Sequence, residues 1–256
     1  MQRALPLLLS ALLLRACSQA PDAPAPPETP TMPPMPLAGS RPPAQFPEPD
    51  RPVAPVAVPS WSDEQSRDNR GEVARVIQLL GIAPGQTIAD IGAGSGYYSV
   101  RLSPVVGPTG KIYVNDIIPD YLARLKRRTA QEGLTNLEFV LGDAGSANLP
   151  ANSTDLALMV HMYHEIADPF SLLWNLHDSL KPGARLAIID ADRPTERHGT
   201  PAALLQCELE ASGYRLVKSE RLGGGSYISV FEPLTRPAPE MIEPCKATPQ
   251  PLRAGG

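Results

Sequence analysis

A chain of 256 residues with 31 prolines has less folded length than its count suggests, since about half of those prolines crowd between Cys17 and Ser60. A net charge of −4 and a pI near 5.6 exclude a sequence-wide attraction to polyanions, because nucleic-acid binding relies on clustered Lys and Arg. The one basic cluster, Arg124 to Arg128, falls on a predicted helix opposite Leu122 and Leu125 and reads as a solvated face, so nucleic acid is discounted as a partner.

The chain opens with Arg3 and an apolar run, Leu5 to Leu14, too short to span a bilayer yet suited to a secretory leader. Leu14-Arg15-Ala16-Cys17 resembles a bacterial lipobox, with Arg15 an unusual occupant. Residues 1–17 are therefore read as a leader, Cys17 as the lipidation site, and the membrane as a partner through that anchor. This places the chain in the cell envelope; a start at Met32 or Met35 would leave it cytoplasmic. Residues 18–60 and 234–256, rich in Pro and Ala, are expected to be disordered, extended spacers without chemistry. Residues 61–233 hold the single domain. The three cysteines show no disulfide framework or metal spacing, and Cys207 reads as a small core residue.

Within the domain, Val73, Val76, Ile77 and Leu80 recur at helical spacing over Glu72 to Leu80, with Gly81 placed to cap. A short apolar strand, Thr87 to Ile91, leads into Gly92-Ala93-Gly94-Ser95-Gly96, and a helix resumes over Tyr97 to Leu102. Strand Lys111 to Asp116, helix Pro119 to Glu132, and strands Leu137 to Leu141 and Asp155 to His161 follow. Strands apolar on both faces predict a parallel sheet covered by helices. Asp168 and Pro169 open the next helix, Lys181-Pro182-Gly183 stops it, and Arg185 to Asp190 is the next strand. A helix from Thr200-Pro201 to Ala211 precedes Tyr214 to Arg221 and Ser226 to Phe231, two strands joined so tightly through Gly223-Gly224-Gly225 that they must pair antiparallel. The expected fold is α/β: a doubly wound, mostly parallel seven-stranded sheet ending in an antiparallel hairpin, with helices on both faces.

Ligands of open α/β sheets bind beyond the carboxyl ends of the strands at the switch point, where Asp90, Gly92, Ala93, Gly94, Ser95 and Gly96 lie. The glycines permit a tight turn and close backbone approach. Asp116, 26 positions beyond Asp90 at the end of the second strand, stands near the offset at which a carboxylate receives ribose hydroxyls, and Asp143 follows the third strand. Three acids at strand ends converge on one crevice.

Asp90-Ile91-Gly92-Ala93-Gly94-Ser95-Gly96, Asp116, Gly142-Asp143-Ala144 and Leu180-Lys181-Pro182-Gly183 resemble the motifs of class I methyltransferases, over nearly all of residues 61–233. The resemblance implies S-adenosyl-L-methionine as cofactor and methyl transfer to a small molecule. It implies that the glycine turn underlies the methionine part, that Asp116 with Ile117 beside it holds the ribose, that Asp143 and the Ala144 amide read the adenine edge, and that Asp90 orients the first loop and favours the cofactor's ammonium group. The chain is most similar to the small-molecule group that includes ubiquinone-biosynthesis and arsenite methyltransferases, and it lacks the cysteines of the latter. Two other readings stay open: an envelope-tethered binding protein that uses the fold without catalysis, and an NAD-dependent oxidoreductase, although GxGxxG would need glycine where Tyr97 stands.

His161-Met162-Tyr163-His164-Glu165 leaves the fourth strand beside the expected methyl group, with His161 reaching the cofactor. His164 and Glu165 are the candidate catalytic pair, and His164 as a base stands beside His164 as a hydrogen-bonded loop residue. A metal site from His161, His164 and Glu165 is disfavoured because loop spacing fixes no geometry. Tyr97, Tyr163, Asp190, Asp192 and Arg193 are candidates for the acceptor's side. Trp61 and the charged stretch Asp63 to Arg70 read either as a lid or as the entry to an amphipathic helix.

Overall fold

Apolar runs of five to seven residues, bracketed by glycine and polar turns, form the centre of the sheet. In the computed structural model, residues 46–56 and 61–246 are described. They belong to the unit Leu37–Gly256, and the other unit, Met1–Pro36, lies outside the described residues. The leader reading with Cys17 and the alternative starts also fall outside them.

The strands are β1 (Thr87–Ile91), β2 (Lys111–Asp116), β3 (Leu137–Leu141), β4 (Thr154–Val160), β5 (Leu180–Ala191), β6 (Tyr214–Gly223) and β7 (Ser226–Pro233), and the helices are α1 (Trp61–Asn69), α2 (Glu72–Leu80), α3 (Tyr97–Val106), α4 (Pro119–Gln131), α5 (Pro169–Ser179) and α6 (Ala202–Ala211). The seven strands lie in the order β3-β2-β1-β4-β5-β7-β6. Parallel pairing runs from β3 to β5, and β7 joins antiparallel to both β5 and β6. The order reverses between β1 and β4, which opens a crevice beyond their carboxyl ends.

Side-chain alternation divides the core. Leu156 and Leu158 of β4 pack on one side of the sheet with Val76, Leu102, Leu122 and Leu125 from α2, α3 and α4. Ala157 and Met159 face the other side, with Leu173 and Leu176 of α5 and Leu205 and Leu209 of α6. Both faces are dry, which is why these strands carry continuous apolar runs. Asp168 caps α5 by accepting from the Ser171 amide at 3.3 Å, with Pro169 in the first turn.

Parts of both proline-rich flanks are held against the domain. Phe46 and Ile242 are buried with Phe170, and Trp174 packs on them. The Trp174 indole N–H donates to the Pro237 carbonyl at 2.9 Å, and the Arg236 guanidinium lies 3.6 Å over the Trp174 ring. The structure also corrects the reading of Cys207 as an unpaired core residue: it forms a disulfide with Cys245, 38 positions away. A bridge closing a loop of that length stabilises by about 2–4 kcal/mol, chiefly through the unfolded chain. No helix among the described residues is long and apolar enough to cross a membrane.

Candidate active site

The crevice floor is the turn between β1 and α3. Gly92, Gly94 and Gly96 take φ values of 67°, 56° and 83°, a region that side chains disfavour. Space adds to the requirement at two of them: a Cβ on Gly92 would stand 2.7 Å from Met162 Cε, and one on Gly96 would collide with Leu125 Cδ1. Asp116 at the end of β2 fastens this turn. One of its carboxylate oxygens accepts from the Gly94 amide at 2.9 Å and the other from the Ile118 amide at 2.9 Å, while the Ala93 amide donates to the Asn115 carbonyl at 2.9 Å. A carboxylate has about four acceptor positions, so each oxygen keeps capacity for a ligand hydroxyl. Asp90 is buried, accepts from the Ser99 hydroxyl at 2.6 Å, and has its pKa pushed up to about 6 by that burial, against the hydrogen bonds from Ser99. Asp143, more exposed, accepts from the Gly145 amide at 2.9 Å, which folds the loop after β3 back on itself.

These groups border one cavity of about 190 Å³. Of the residues expected to bind the cofactor, Asp90, Gly92, Ala93, Gly94 and Ser95 line it from the first turn, and Asp116, Ile117, Asp143, Ala144 and His161 line it from the neighbouring strand ends. Gly96 stands behind the wall as the left-handed residue that starts α3. The left-handed glycine turn and the pinned carboxylate, both on the cavity wall, fit an adenosyl ligand approached closely by backbone.

The charged stretch 63–70, in which the sequence singles out no site residue, lies almost wholly in α1 and is stitched across the turn by charge. Glu64 accepts from Arg128 at 2.9 Å and Arg101 at 3.1 Å, the Ser95 hydroxyl donates to Glu64 at 3.3 Å, and Arg101 also pairs with Asp68. Burial alone would raise the Glu64 pKa, but Arg128 and Arg101 together hold it below its ordinary value. Arg67 lines the cavity, pairs with Glu72 at 2.6 Å, and lies 3.8 Å over the Tyr97 ring. The Tyr97 hydroxyl donates to Asp68 at 2.9 Å, so this cavity-lining ring is fixed from both ends. His161 also takes a left-handed conformation, φ 52°, and its pKa is lowered first by burial and then by the Arg67 charge.

The acceptor side departs from the sequence reading. Glu165 lines the cavity, but His164 does not; it is buried, with Nδ1 3.0 Å from both oxygens of Asp190. Asp190 also accepts from the Thr200 hydroxyl at 2.7 Å and is fully buried, so it meets no acceptor. Tyr163 is fully buried too, its hydroxyl donating to Glu208 at 2.8 Å. Asp192 accepts from Arg221 at 2.6 Å and the Ala202 amide at 3.1 Å, and Arg193 donates to the His198 carbonyl at 3.0 and 2.8 Å. Of the five acceptor candidates only Tyr97 reaches the cavity wall, because the other four are used in holding the loops after β4 and β5.

A sheet of this order with a glycine turn and a strand-end aspartate at its switch point defines a nucleoside-binding α/β domain of the methyltransferase type. Residues 82–219 match the family described as a methyltransferase domain, which is just over half of the 256 residues, and the chain belongs to that family. Ubiquinone/menaquinone biosynthesis C-methyltransferase UbiE of Pseudomonas putida is 30% identical over 122 residues, 47% of this chain and 48% of that protein. Its counterpart in Pseudomonas fluorescens is 30% identical over 120 residues, covering 46% and 47%. The chain thus spans about half the length of these curated relatives. Among solved structures, a SAM dependent methyltransferase from Aquifex aeolicus superposes with a TM-score of 0.61 at 27% identity, over 65% of this chain and 92% of that one. The [4+2]-cyclase SpnF shares the fold alone, with a TM-score of 0.53 at 17% identity. The cofactor that this family and fold imply is S-adenosyl-L-methionine.

Proposed function

We propose that this chain is an S-adenosylmethionine-dependent methyltransferase acting on a small-molecule acceptor. The observation that carries the reading is the Asp116 carboxylate, held by two backbone amides against the glycine turn inside the cavity. Bound there, the cofactor supplies an electrophilic methyl group. Asp116 receives the ribose hydroxyls, Asp143 and the Ala144 amide face the adenine edge, and Asp90 with the turn orients the amino-acid end. Tyr97, His161, Met162 and Glu165 then bound the side from which the acceptor approaches. Most of the acceleration would come from holding acceptor and donor in line inside this cavity, to whose wall α1 contributes Arg67, an effect that needs no strong base. Calorimetry on the purified full chain is expected to show micromolar binding of S-adenosylhomocysteine and none of NADH; binding of NADH alone, or of neither, defeats the proposal.

We also infer that the domain works outside the cytoplasm, as the Cys17 reading suggests. Support comes from the Cys207–Cys245 disulfide, since such bridges persist in oxidising compartments. Acid-quenched cells treated with a thiol-alkylating probe are expected to yield protein labelled at these two cysteines only after reduction. Full labelling without reductant would return the chain to the cytoplasm.

A further inference from the structure

We propose that His164, Glu165 and His198 form a binding site for one divalent transition-metal ion of the zinc type, at the rim of the cofactor cavity. One donor atom from each residue lies within 4.8 Å of the other two, and His164 Nε2 stands 3.8 Å from Glu165 Oε1. That separation is too long for a hydrogen bond. Two donors on one zinc ion stand roughly 3.3–3.6 Å apart, given bond lengths of roughly 2.0–2.2 Å, so binding would draw the three side chains inward from separations of up to 4.8 Å. Two imidazoles and a carboxylate are the donors that borderline divalent metals prefer.

Two further features point the same way. His164 Nδ1 sits 3.0 Å from both oxygens of Asp190, itself fixed by the Thr200 hydroxyl at 2.7 Å. With the His164 ring neutral and donating from Nδ1 to Asp190, Nε2, 3.8 Å from Glu165 Oε1, is the nitrogen left to coordinate, which is how carboxylates orient metal-binding histidines. His198 is held from the other side: its backbone takes φ 56°, its N–H donates to the Thr195 carbonyl at 3.0 Å, and its carbonyl accepts two bonds from Arg193. Its Nδ1 is buried without a hydrogen-bond partner, an arrangement that costs about 1–3 kcal/mol unless something coordinates it. The His164 and His198 rings stand edge to face with centroids 5.6 Å apart. Glu165 belongs both to this set and to the cavity wall, which puts the site at the edge of the cofactor cavity.

The test uses the full chain, stripped with chelator, dialysed and titrated with Zn²⁺ and separately with Co²⁺. One equivalent is expected to bind, with visible d–d absorption for Co²⁺. His198→Asn, chosen because asparagine tolerates the left-handed backbone, and Glu165→Gln should each weaken binding at least 100-fold, and Asp190→Asn about 10–100-fold. Melting curves and S-adenosylhomocysteine titrations on the same samples report folding and the cavity independently, so loss of metal by His198→Asn, whose side chain does not line the cavity, with nucleoside binding retained assigns the site. A wild-type chain that takes up no metal, or folded His198→Asn and Glu165→Gln variants that bind it as tightly as wild type, overturns the proposal without touching the methyltransferase reading.

Discussion

Asp116→Ala is expected to weaken S-adenosylhomocysteine binding by at least 100-fold in calorimetry, with the fold intact by circular dichroism. The carboxylate does two things at once. It accepts from the Gly94 and Ile118 amides, which sets the distance between the glycine turn and the loop after β2, and it retains acceptor capacity for the ribose. Hydrogen bonds to a charged group are worth about 1.5–3 kcal/mol each, and 100-fold corresponds to about 2.7 kcal/mol, so loss of the ligand's own bonds suffices before the loosened turn is considered. Asp116→Asn does no better, because its NH₂ must face one of two amide donors. Asp120→Ala, on the exposed start of α4, serves as the control and should bind as wild type. If Asp116→Ala binds within threefold of wild type, the adenosyl ligand does not lie where this cavity places it.

The cofactor half of the site is legible in the sequence because its determinants are local. A glycine turn follows its strand directly, and each acid stands at or just past a strand end, so knowing the strands places the ligand. The strands are legible for related local reasons: β1, β2, β4 and β5 carry apolar runs closed by a turn, and β6 and β7 are tied together by the glycine turn between them. Where short-range pattern and tertiary pairing compete, reading fails. β5 begins at Leu180, through the Lys181-Pro182-Gly183 that reads as a stop, because Leu180 pairs with Thr154 across a bulge in the ladder. α3 continues past Leu102 through Pro104 to Val106, with Leu102 and Val106 both fully buried. α1 has no apolar stripe to announce it and is held by ion pairs to Arg101 and Arg128, residues that neighbour it only in space. The acceptor half depends on such pairings throughout: nothing in the spacing of Tyr163, His164, Asp190 and His198 tells that Asp190 is spent on His164, or that His198 arrives beside Glu165. The Cys207–Cys245 bridge is hidden likewise, since pairing follows from how the C-terminal flank lies on α6 and not from spacing.

Glu208→Ala is expected to destabilise the folded chain by about 3–5 kcal/mol, read as a lowered midpoint in urea with an unchanged slope. Arg51, in the N-terminal flank, and Glu208 on α6 meet at 2.9 Å with both side chains fully out of water, and Tyr163 donates to the same carboxylate at 2.8 Å. Burial raises the Glu208 pKa even though Arg51 and Tyr163 oppose it, so desolvation is the larger effect and the pair is costly to half-remove. Without Glu208 the guanidinium keeps, among the described residues, long bonds to the Tyr163 carbonyl at 3.4 Å and the Ile166 carbonyl at 3.3 Å, and the Tyr163 hydroxyl loses its acceptor. Replacing both charges, Arg51→Met with Glu208→Leu, should recover most of the loss, because two apolar side chains leave no buried charge behind. The pair also fixes the turn that carries His164 and Glu165: Arg51 bonds on either side of them, and the Ala54 amide donates to the His164 carbonyl at 3.0 Å. Glu208→Ala should therefore lower affinity at the cavity rim as well as stability, while the double replacement restores stability ahead of affinity. A single mutant as stable as wild type would show that the flank contributes nothing to holding that turn.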